Sequence, residues 1–64
     1  MNHNQTVVSN EIDRLRQLAA LHRDAAKTGV GFEYGVHTYR GDAAFHLKCS
    51  RNLDKVADNL ARQL

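Results

Sequence analysis

The sequence predicts an α+β fold in the order helix, antiparallel β-hairpin, helix (α-β-β-α). Three observations carry this: a helical apolar period between Ile12 and Ala26, a change to strict alternation after Gly29, and a return of the helical period from Leu53 onward. A chain of 64 residues has room for one folding unit. Residues 9–64 are therefore expected to form a single α-β-β-α domain, and residues 1–8, polar and without a period, a flexible N-terminal arm.

Ser9 or Asn10 reads as the N-cap of the first helix, with Glu11 and Asp13 in its first turn, Arg23 and Lys27 in its last, and Gly29 just beyond it. That charge order complements the helix dipole and places the helix from about Asn10 to Lys27. At 100° per residue, Ile12, Leu15, Leu18, Ala19, His22, Ala25 and Ala26 share one face, with Leu21 at its edge. Arg16, Arg23 and Lys27 line a flank, and Asp13, Gln17 and Asp24 fill the neighbouring strip.

After Gly29, Val30, Phe32, Tyr34 and Val36 alternate with Gly31, Glu33, Gly35 and His37, the period of a strand. Ala43, Phe45, Leu47 and Cys49 alternate in the same way with Ala44, His46, Lys48 and Ser50, and Arg40-Gly41-Asp42 supplies turn chemistry between the two runs. Two registers keep both apolar rows on one face. With Arg40-Gly41 as the loop, Glu33 lies opposite Lys48; with Gly41-Asp42, His37 lies opposite His46. Ser50 then caps a second helix, in which Leu53, Val56, Ala57, Leu60 and Leu64 form a narrow stripe backed by Arg51, Lys55, Asp58 and Arg62. Asp58 precedes Arg62 by four residues, the spacing of a helix-surface ion pair.

Composition excludes several classes of protein. Cys49 is the only cysteine, so no disulfide forms within the chain, and a lone thiol behind a polar N-terminal segment points to the reducing cytoplasm. No apolar run approaches the ~20 residues of a membrane span. A net charge of +2 permits nucleic-acid binding without requiring it. A small domain with two open strand edges is expected to dimerise, either by pairing strands into a four-stranded sheet or through a helical seam of Leu53, Leu60 and Leu64.

The candidate partner-binding surface is the outer face of the predicted hairpin, where Glu33, His37, Tyr39, His46 and Lys48 gather. His37 and His46 are read there as solvated strand residues rather than metal ligands, since no CxxC or HExxH spacing accompanies them. His22, set among leucines and alanines, is read as a buried, hydrogen-bonded core histidine, and Cys49 as a small core residue. An alternative nucleic-acid-binding surface is the stripe Arg16, Arg23 and Lys27, whose spacing could follow a phosphate backbone. There is no nucleophile–base set, glycine-rich phosphate loop or pair of carboxylates, so catalytic residues, metal and cofactor are all expected to be absent. The expected function is non-enzymatic: a small inhibitor or modulator that occupies a protein partner, of the kind that phages and other mobile elements encode. The alternative is a dimeric nucleic-acid-binding regulator.

Overall fold

In the computed structural model, which describes residues 3–64, the elements are α1 (His3–Thr28), β1 (Phe32–Tyr34), β2 (His37–Tyr39) and α2 (Ala43–Ala61). The α-β-β-α order expected from the sequence is therefore present. The boundaries of all four elements differ from those expectations, and the larger shifts have a physical cause.

The first helix begins at His3 rather than near Asn10, so the segment read as an arm is helical from His3, while Met1 and Asn2 lie outside the described residues. Val8 supplies the reason: it packs against the cluster of Ile12, Leu15 and Ala57, and this burial extends the helix past the polar residues that would have capped it. The other end falls where expected. Gly29 adopts φ +75°, and its N–H donates to the Ala25 carbonyl at 2.9 Å, closing α1 with a left-handed C′ glycine.

The hairpin is shorter and lies earlier than expected. β1 and β2 pair antiparallel, with Phe32 opposite Tyr39, Glu33 opposite Thr38 and Tyr34 opposite His37. The loop is Gly35-Val36, so neither predicted register occurs. Gly35 has φ +63° and Val36 has no positive φ, the pattern of a type II′ turn with glycine in its first position. At the base of the hairpin, Gly31 lies so close to the second strand that a Cβ there would meet the Tyr39 carbonyl oxygen at 2.5 Å.

Residues 43–50, read as the second strand, are instead the first turns of α2. Asp42 is the N-cap: its backbone is extended at φ −81°, ψ 177°, and its carboxylate accepts from the Phe45 N–H at 2.9 Å. Ala43 and Ala44 follow with high helix propensity, and no β-branched residue occurs before Val56 to favour a strand.

The two helices run antiparallel. Ile12, Leu15, Leu18, Ala19, His22 and Ala25 of α1 are buried, as are His46, Ser50 and Ala57 of α2, with Leu53 and Leu60 packed against the same cluster. Burial of each large apolar side chain contributes about 1.5–3 kcal/mol. The apolar face of α1 is thus the one its sequence predicts. On α2 the buried row runs His46, Ser50, Leu53, Ala57, Leu60, whereas Val56, placed in the predicted stripe, is 48% exposed. Of the leucines of the expected seam, Leu53 and Leu60 are partly buried against the cluster of Ile12, Leu15 and Ala57, while Leu64 lies beyond α2 and is exposed.

Candidate functional site

At the hairpin end of the helical pair, five rings converge. His22 meets Phe32 edge-on at a centroid distance of 4.8 Å and Tyr39 at 5.0 Å, while Phe45 lies 5.0 Å from His46. Such edge-to-face contacts add about 0.5–1.5 kcal/mol each beyond area burial. Both histidines are 1% exposed, and their Nδ1 atoms are 2.8 Å apart. One Nδ1 therefore carries a proton and donates to the bare Nδ1 of the other, an arrangement that two imidazolium rings cannot adopt. Burial lowers the pKa of His22 below the ordinary histidine value, and repulsion from His46 adds to the shift. The Nε2 of His46 is buried, with no hydrogen-bond partner among the described residues. His22 also lines a shallow cleft of about 250 Å³ with Tyr39, Cys49 and Asn52.

His22 is thus the buried, hydrogen-bonded histidine read from the sequence. His46 is not: it belongs to α2 and to the core, because Asp42 starts a helix where a strand was expected. The sequence signal for this partnership lay in the spacing His46, Ser50, Leu53, Ala57, Leu60, which extends the helical row of α2 back to residue 46.

The other residues of the predicted outer face are dispersed. Tyr39 turns inward and packs on His22. His37 pairs opposite Tyr34 on that same inner face and remains exposed, with its ring 6.1 Å from Tyr39. Glu33 stays on the outer face opposite Thr38, and Lys48 is an exposed residue of α2. Of the five, only Glu33 lines the open depression of about 590 Å³ on the outer side of the hairpin, together with Val30, Thr38, Arg40 and Gly41.

The α1 stripe is occupied by acids from α2 rather than by its own neighbours. Arg16 Nη2 lies 3.1 Å from Asp58, Arg16 Nη1 lies 3.9 Å from Asp54, and Arg23 Nη1 lies 2.9 Å from Asp54. These half-exposed pairs stabilise the helix packing by about 0.2–1 kcal/mol each. Asp58 is consequently turned toward Arg16, and Arg62 bonds to Asn59 at 3.3 Å instead. Of the stripe, Lys27 is the residue with no acidic partner among the described residues.

One flank of α2, beside the face packed on α1, is the surface the sequence reading missed. Phe45, Cys49, Asn52, Val56 and Asn59 follow one another at spacings of four and three residues, one position before each member of the buried row. All are exposed except Cys49, which is half-buried. None is charged. Among the described residues no group of three or more His, Cys, Asp or Glu side chains is arranged to hold a metal, and no helix is long and apolar enough to cross a membrane. No protein-family model matches the chain, and no curated protein or solved structure matches it either.

Proposed function

We propose that the chain is a small non-enzymatic binding protein of the cytoplasm that acts by occupying the surface of a protein partner, as an inhibitor or modulator. The observation that carries this is the exposed, uncharged row on α2. An interface core is depleted of charge and enriched in aromatic side chains, and here Phe45 and Val56 stand on a rigid helix at coiled-coil spacing. A nucleic-acid surface has less to support it, because Arg16 and Arg23 already neutralise Asp54 and Asp58 and would have to leave them to meet phosphate.

The test is affinity capture with the immobilised chain from a lysate of the source organism, with and without nuclease and at low and high salt. Capture of a discrete protein that survives nuclease, and that is lost on Val56→Arg, is the expected result. Recovery only of nucleic acid, or of proteins released by nuclease, would refute a protein-binding role.

A further inference from the structure

The charges of α2 are sorted across its width. Asp54 and Asp58 lie on one flank, where Arg16 and Arg23 of α1 hold them. Between that flank and the uncharged row stand Lys48 and Lys55, with Arg62 in the turn that follows the helix, each separated from the next by seven residues. At 100° per residue these three stack along one edge of the row, about 80° around the helix from its centre. All three are exposed, and none has an acidic partner among the described residues.

An uncharged seam of 3.5-residue period edged by cations is one half of a helix–helix interface. The other half must supply an apolar stripe and, along the edge that meets Lys48, Lys55 and Arg62, negative charge. A second copy of this chain answers poorly. Its own acids Asp54 and Asp58 are committed to α1, and two α2 helices laid antiparallel would set Lys55 against Lys55 and Lys48 against Arg62.

We propose that the uncharged row on the flank of α2, with Lys48, Lys55 and Arg62 beside it, docks an amphipathic helix of a protein partner whose apolar stripe is bordered by Asp or Glu. This rests on the protein-binding role proposed above and names the chemistry of the partner. Phe45 and Val56 fill the seam, Asn52 and Asn59 fix the register through amide hydrogen bonds, and the three cations select an acidic helix and speed its approach.

The test uses the full chain and two synthetic peptides of about three heptads, identical except that the positions bordering the apolar stripe are Glu in one and Lys in the other. Binding is followed by fluorescence anisotropy over a range of salt. The Glu-bordered peptide is expected to bind at least about tenfold more tightly than the Lys-bordered one, with affinity falling as salt rises. The triple variant Lys48→Glu, Lys55→Glu, Arg62→Glu should reverse the preference. Because all three positions are exposed, circular dichroism should show an unchanged helical spectrum. Equal binding of the two peptides, or a preference that survives the reversal, would overturn the assignment. So would sedimentation showing that the wild-type chain dimerises through this row and that Val56→Arg disperses it. If lysate capture is lost on Val56→Arg yet unaffected by the triple reversal, the protein-binding role stands and the acidic helix does not.

Discussion

The buried histidine pair predicts how stability depends on pH. In the folded chain, burial and the neighbouring His46 ring hold the pKa of His22 below its ordinary value, whereas in the unfolded chain it titrates near pH ~6.5. A group whose folded pKa is depressed contributes its full stability above the unfolded pKa and loses it as pH falls toward the folded one. The groups facing the pair do not offset this. They are the Tyr39 phenol from β2 and the Cys49 thiol from α2, with Phe32 and Phe45 around them, and among the described residues no carboxylate forms an ion pair with either ring. One proton taken up by the unfolded chain and refused by the folded one costs up to about 1.4 kcal/mol between about pH 7.5 and about pH 5.5. That is a large share of the ~3–10 kcal/mol expected for a domain of this size. Urea unfolding at fixed protein concentration, followed by circular dichroism across this range, measures it directly. The double variant His22→Leu, His46→Leu removes both imidazoles without stranding either and should flatten the profile. Equal stability of the wild type at the two ends of the range would refute a buried His22 that resists protonation.

Three further outcomes follow from local geometry. Gly31→Ala should destabilise by about 1–3 kcal/mol in thermal melts, because its Cβ would press on the Tyr39 carbonyl oxygen and the backbone must move to relieve the contact. Asp42→Ala should cost about 1 kcal/mol through loss of the α2 cap, while Asp42→Asn should retain most of the stability. Arg16→Glu with Arg23→Glu should lower stability by about 1–2 kcal/mol at low salt, less at high salt, since it sets like charges against Asp54 and Asp58. A salt-independent loss would show that these arginines contribute through packing rather than charge.

The element order was readable because the apolar period changes at Gly29 and a helical row closes the chain. The apolar face of α1 was readable for the same reason: a 26-residue helix repeats its signal many times. What misled was the stretch from Ala43 to Ser50, where every second residue is apolar or small and both periods fit. Asp42 decides between them through a hydrogen bond that the pattern does not display, and two alanines beside it favour the helix. Once that stretch is helical, the turn can no longer lie at Arg40-Gly41-Asp42. It moves to Gly35-Val36, where a glycine followed by one residue and flanked by Tyr34 and His37 was itself a hairpin signal that had been absorbed into a strand. The candidate surface failed for the same cause. Moving His46 and Lys48 from a strand to a helix sends one into the core and the other to the far side of α2. The charge sorting on α2 was hidden because it becomes visible only when Asp54 and Asp58 are seen to be held by α1.

The antiparallel course of α1 and α2 fixes how the molecule can be held. The hairpin turns the chain around at one end of a particle 40 Å long, so α1 starts and α2 finishes toward the other. Attachment to a bead, a sensor surface or a fused domain through either end therefore presents the hairpin outermost and leaves the length of α2 accessible from the side. The same course suits a permuted chain, with a linker joining the present ends and new ends cut at the exposed Gly35-Val36 loop. Such a permuted chain would carry the ring cluster beside its termini, so fraying there would act directly on the histidine pair.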